Sequence, residues 1–95
     1  MQYQLRLYTV RHGELEEFVA EWAATVLPLR RKFGFEVIGP WVHEDEDLFI
    51  WVLSYDGDFE SADAAYYDSE ERKALTPNPA RRLQETRHWL MRPVG

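Results

Sequence analysis

Residues 48–55, Leu-Phe-Ile-Trp-Val-Leu-Ser-Tyr, constrain this chain more than any other stretch. The run is rich in residues that suit a pleated surface. As a strand it sends Leu48, Ile50 and Val52 to one face and Phe49, Trp51, Leu53 and Tyr55 to the other. Neither face is polar. A sheet with one side in water alternates apolar and polar residues. This strand does not, so both of its faces require cover.

The rest of the chain supplies only part of that cover. Tyr3 to Val10 alternate and predict a first strand, with Tyr3, Leu5, Leu7 and Thr9 on one face and Gln4, Arg6, Tyr8 and Val10 on the other. Leu15, Phe18, Val19, Trp22, Ala23 and Val26 recur at helical spacing, with Glu14, Glu16, Glu17 and Glu21 opposite them. Pro28 predicts a kink or break near Leu27, and Gly34 a C-terminal stop. Phe35 to His43 read as a second strand with a bulge or edge position at Gly39-Pro40. The acidic turn Glu44-Asp45-Glu46-Asp47 joins it to Leu48–Tyr55 as a hairpin. Asp58 is a helix N-cap for a face of Phe59, Ala62, Ala65 and Tyr66. A short helical piece over Glu70 to Leu75, an interruption at Thr76-Pro77-Asn78-Pro79, a further turn from Ala80 to Glu85 and a strand from Thr86 to Arg92 complete the chain. The order is βαββαβ. It predicts one α+β domain over residues 1–95, ferredoxin-like, with a four-stranded antiparallel sheet and helices on one face.

Two helices cover one side of such a sheet. The reading assigns them to the face of Leu5, Leu7, Ile50 and Val52. The opposite face then carries Arg6, Tyr8, Phe49, Trp51, Leu53 and Tyr55, with Trp41. Aromatic residues form 15% of the chain, 4 Trp, 5 Tyr and 5 Phe, which is more than one small core needs. An apolar patch of this size marks an interface, and a second copy about a two-fold axis is the simplest cover. Two sheets face to face would form an eight-stranded barrel with room for side chains or one small ligand. The expected partner is therefore the chain itself, as a homodimer.

The pattern Tyr3-x-Leu5-Arg6-x-Tyr8-Thr9-Val10-x-x-Gly13-x-Leu15-x-x-Phe18 resembles the opening of NIPSNAP-type domains. Gly34-Phe35-x-x-x-Gly39-x-Trp41 is similar to their second strand, and Trp51-x-x-x-Tyr55-Asp56 to their third. The resemblance implies the dimeric α+β barrel superfamily. That superfamily includes small monooxygenases acting on polyketide-like substrates, muconolactone isomerase-like enzymes, haem-degrading enzymes and proteins with no known activity. The chain departs from the family pattern at Ala64-Ala65-Tyr66-Tyr67 and Pro77-Asn78-Pro79, where relatives often carry an arginine-rich helix and a Trp.

Composition narrows the chemistry. Lys+Arg 11 against Asp+Glu 17 gives a formal net charge of -6, which argues against nucleic acid and anionic membrane surfaces. No 18-residue apolar window exists, and the N-terminus does not read as a signal peptide. The absence of cysteine removes thiolate chemistry and fits a reducing, cytoplasmic location. His12, His43 and His88 have no metal-ligand spacing, and the acidic run lacks the glycine and late glutamate of a calcium loop, so no metal and no cofactor are expected. Arg6, mid-strand among apolar residues, needs an anionic partner from a ligand or from an acidic side chain inside the dimer. Arg6 and His88 are the candidate catalytic residues. Arg6, Tyr8, Trp41, His43, Trp51, Tyr55 and His88 are the candidate ligand-binding set, against the alternative that the same rings fill a solid dimer core. His12 reads as a solvated turn residue. The face of the last strand is open, because Arg87, Trp89 and Met91 compete with Thr86, His88 and Leu90.

Three functions fit: a non-enzymatic or ligand-binding domain of unknown role; a cofactor-independent monooxygenase or isomerase for an aromatic or polyketide-like compound; and a haem-binding variant with a histidine ligand. The second requires only a site that deprotonates the substrate and stabilises the carbanion, since the activated substrate itself then reacts with oxygen. A continuous cavity lined by Arg6, Tyr8, Trp51 and His88 favours it.

Overall fold

The computed structural model describes residues 1–95. Strand β1 (Gln2–Val10) leads into helices α1 (Leu15–Ala24) and α2 (Val26–Lys32). The hairpin β2 (Glu36–His43) and β3 (Leu48–Tyr55) follows, then α3 (Phe59–Asp68), α4 (Glu70–Lys73), a 3₁₀ turn (Pro79–Arg82) and β4 (Leu83–Met91). The four strands are antiparallel in the order β2-β3-β1-β4, the ferredoxin-like arrangement the sequence predicts. No helix is long and apolar enough to cross a membrane.

Local chemistry explains the boundaries. The break between α1 and α2 falls at Thr25, earlier than Pro28 suggests. Restarting the helix at Val26 puts proline in a first turn, where a missing N–H costs nothing. At the end of α2, Gly34 takes φ 90°. The Phe35 N–H donates to the Arg30 carbonyl at 3.1 Å and the Gly34 N–H to the Arg31 carbonyl at 3.0 Å, the paired bonds of a glycine C-cap. Asp58 caps α3 as expected, its side chain accepting from the Ser61 N–H.

The two faces of the sheet are the reverse of the sequence expectation. Arg6, Tyr8, Phe49, Trp51 and Leu53 are buried, and they lie beneath the helices. Phe18 meets Phe49 edge-on at 4.9 Å, and Trp22 stands 5.1 Å from both Phe49 and Trp51. Leu5, Leu7, Ile50 and Val52 are half-buried on the side that no segment of the chain covers. Charge is one reason. A buried guanidinium needs an anion, and α3 presents Asp63 on the helix side only. Shape is the other. The large rings pack against those of the helices, whereas Leu, Ile and Val leave a low surface. Phe18, Trp22, Phe35 and Phe59 are buried on the helix side, as expected.

The register settles the outer strands. His88 lies opposite Arg6 and Thr86 opposite Tyr8, on the helix side. Arg87, Trp89 and Met91 lie opposite Leu7, Leu5 and Tyr3, on the open side. On β2 the pairing slips between Ile38 and Trp41, the bulge expected at Gly39-Pro40. Beyond it Trp41 pairs with Ile50 and His43 with Leu48, so both join the open face rather than that of Trp51.

Candidate functional site

A cavity of about 270 Å³ lies between the sheet and the helices. Its size is near the small end of ligand sites. Strand β1 places Arg6 and Tyr8 in it by alternation, β3 adds Trp51, and β4 adds Thr86 and His88 along its exposed edge. Phe18, Trp22 and Val26 form an apolar wall from α1 and α2. Pro79, Ala80 and Leu83 close one end.

Arg6 is the hub. It is 5% exposed. Its Nε donates to Gln4 Oε1 at 2.7 Å and its Nη2 to Asp63 Oδ1 at 3.0 Å. Its Nη1 donates to the Tyr67 hydroxyl at 2.7 Å and, more weakly, to the Tyr8 hydroxyl at 3.4 Å. Burial alone would lower the Arg6 pKa, but Tyr8, Tyr67 and Asp63 outweigh it and hold the guanidinium above its ordinary value. Both phenol oxygens accept from Arg6, so each keeps its own proton to donate elsewhere. Burial pushes the Tyr8 phenol up, against the opposing pull of Arg6. Tyr8 is therefore neutral, and a donor, at physiological pH.

Arg30 is the second buried cation, 1% exposed. Its Nη1 lies 2.7 Å from the same Asp63 Oδ1, off the angle of a hydrogen bond. Its guanidinium stacks on Tyr66 at 3.7 Å and on Phe35 at 4.7 Å. Burial pushes the Tyr66 phenol up, with Arg30 and Arg72 opposing. Several buried polar groups here make no well-aligned hydrogen bond within the chain: the indole nitrogens of Trp22 and Trp51, Nε and Nη1 of Arg30, the Tyr66 hydroxyl and Nε of Arg72. All of these residues line the cavity.

Of the seven residues expected from the sequence, the cavity gathers Arg6, Tyr8, Trp51 and His88. Tyr55 points to the helix side but packs on Phe35 at 5.0 Å, outside the cavity. Trp41 and His43 stand on the open face. Asp63, Arg30, Tyr67 and Arg72 also line the cavity and are not among the residues expected from the sequence. One signal was present. Asp63 follows Ala62 and precedes Tyr66 on the helical stripe of Phe59, an acid where an apolar side chain is the rule.

The closing end of the cavity is tied to α1 by ions. Arg81 grips Glu21 through two donors at 2.8 Å. Arg82 reaches Glu21 at 3.1 Å and Glu14 at 2.8 Å. Hydrogen bonds from Arg81 and Arg82 lower the Glu21 pKa from 4.5 to about 2. A carboxylate depressed on folding stabilises the fold above its unfolded pKa and loses that contribution as pH falls toward the folded one. Thermal unfolding followed from pH 5 down to about 2 should therefore show a smaller loss of stability in Glu21→Gln than in the wild type. Parallel profiles would mean that the cluster contributes nothing.

The family model described as NIPSNAP matches residues 3–94. No curated protein matches the chain. Among solved structures, an uncharacterized NIPSNAP domain protein from Burkholderia xenovorans superposes with a TM-score of 0.85 at 16% identity, over 99% of this chain and 95% of that one. A NIPSNAP family protein from Agrobacterium tumefaciens gives 0.84 at 14% identity, over 98% and 92%. A putative antibiotic biosynthesis monooxygenase from Nitrosomonas europaea gives 0.74 at 13% identity, over the whole of both chains. At these identities the likeness is one of fold.

Proposed function

The chain belongs to the NIPSNAP family, and on that premise we propose that it acts as a homodimer in which each copy binds a small, flat, largely apolar molecule. The observation that carries this reading is the cavity around Arg6. Its walls are aromatic and aliphatic, and a few polar groups converge on it, the usual composition of a small-molecule site. A bicyclic aromatic probe, 2-naphthol or 2-naphthoate, should bind saturably at one site per chain in calorimetry. Failure of both probes to saturate at millimolar concentration would overturn the reading.

The dimer rests on the open face. Leu5, Leu7, Ile50 and Val52 form its centre, and Trp41 and Trp89 stand beside them at 54% and 41% exposure. Sheet-to-sheet pairing of two copies covers this face and leaves each cavity on the outer, helix side.

A second reading, a cofactor-independent monooxygenase or isomerase, is supported by His88 opposite Arg6 and by the fold shared with a putative antibiotic biosynthesis monooxygenase. In that reading His88 removes a proton beside a carbonyl, and Arg6 and the Tyr8 hydroxyl hold the enolate oxygen. Asp63 instead has its Oδ1 against two guanidinium groups.

A further inference from the structure

The cavity holds more positive charge than its own residues balance. Three guanidinium groups surround the Tyr67 ring: Arg30 at 5.2 Å, Arg72 at 5.3 Å and Arg6 at 5.8 Å. Asp63 is the only carboxylate that lines the cavity, and its Oδ1 already serves both Arg6 and Arg30. Crowding three cations beside one anion in a partly dry site is unfavourable unless something else neutralises them. The unpartnered polar groups point to the same complement. Arg30 Nε, Arg72 Nε and the two indole N–H groups are donors only, and the Tyr66 hydroxyl can donate as well. Arg30, Trp22 and Trp51 are at least nine-tenths buried, so solvent does not readily satisfy them.

Resting on the ligand-binding reading above, we infer that the natural ligand is an aromatic acid, whose carboxylate is held by Arg30 and Arg72 while its ring lies against Trp22 and Trp51. A carboxylate is planar, accepts several hydrogen bonds and matches the fork of a guanidinium. It supplies the acceptors that the cavity lacks, and it offsets the excess charge. The flat body follows from the walls, where rings stand on both the sheet and the helix side of a space of only about 270 Å³. The arginines are selective for the acid over a neutral analogue because an amide of the same shape brings no charge and adds donors to a site already rich in them.

The test compares 2-naphthoate with 2-naphthamide by calorimetry. The acid should bind about tenfold more tightly or better, the margin expected of hydrogen bonds to a charged group. Arg72 is only partly buried, so Arg72→Gln should fold normally. It should remove most of that margin, read as the ratio of acid to amide affinity. Arg30→Lys, which keeps the charge but loses the fork, should lower the acid's affinity as well. Equal affinity for acid and amide overturns the carboxylate inference and leaves the apolar-ligand reading standing. An unchanged preference in Arg72→Gln and Arg30→Lys overturns the assignment of the arginines. Absence of binding by either probe overturns the inference and the reading beneath it together.

Discussion

Replacing Asp63 with alanine should lower the free energy of unfolding by about 3–5 kcal/mol in a urea titration, the loss measured when one partner of a buried ionic cluster is removed. Asp63 is the only anion beside two guanidinium groups whose side chains are 6% and 1% exposed. Without it Arg6 keeps Gln4 and Tyr67, but Arg30 keeps only ring faces. Two neighbouring buried cations are then left with no counter-ion. Asp68, five residues along α3, pairs with Lys73 at the surface and is the control. Asp68→Ala should change stability by less than about 0.5 kcal/mol. Equal effects of the two substitutions would mean that Asp63 does not hold the arginines. An aromatic acid should restore part of the lost stability in Asp63→Ala, because it brings the missing negative charge.

The second large effect comes from two neighbours on β3. Trp51→Ala should cost about 3–5 kcal/mol, because it empties a site packed between Trp22 and Tyr8. Ile50→Arg should behave differently. Its side chain stands on the open face, half-buried within one copy. The variant should keep the near-ultraviolet circular dichroism of the wild type and sediment at 11.3 kDa, where the wild type sediments at twice that mass. If Ile50→Arg unfolds the chain and Trp51→Ala does not, the faces are the other way round. If wild type and Ile50→Arg both sediment at 11.3 kDa, the dimer is wrong.

Much of the fold is written locally. Alternation in Tyr3–Val10 and Leu48–Tyr55, helical spacing from Leu15 to Val26, the stop at Gly34 and the cap at Asp58 each depend on neighbours within a few residues. The assignment of faces does not. A strand that is apolar on both sides gives no local reason to turn either one inward. The decision lies between Arg6 and Asp63, 57 residues apart in sequence. The same limit applies to the cavity. Arg6, Tyr8, Trp51 and His88 stand out because each interrupts or enriches a strand pattern. Arg30 does not, because a basic residue at the end of a helix suits the helix dipole and looks solvated. Only the packing of α2 against Phe35 and Tyr66 shows it to be buried. Trp41 and His43 moved to the open face for a further reason. The extra residue at the Gly39-Pro40 bulge reverses every side chain that follows it on β2.

The four tryptophans report on whether ligand binds between the sheet and the helices. Trp22 and Trp51 line the cavity, whereas Trp41 and Trp89 stand on the opposite face of the sheet. Their indole N–H groups give separate signals in a proton–nitrogen NMR spectrum. In a titration with 2-naphthoate the Trp22 and Trp51 signals should move together and saturate, while those of Trp41 and Trp89 stay in place. Movement of Trp41 and Trp89 with Trp22 and Trp51 unmoved would put the ligand between the sheets and rule out a site beneath the helices.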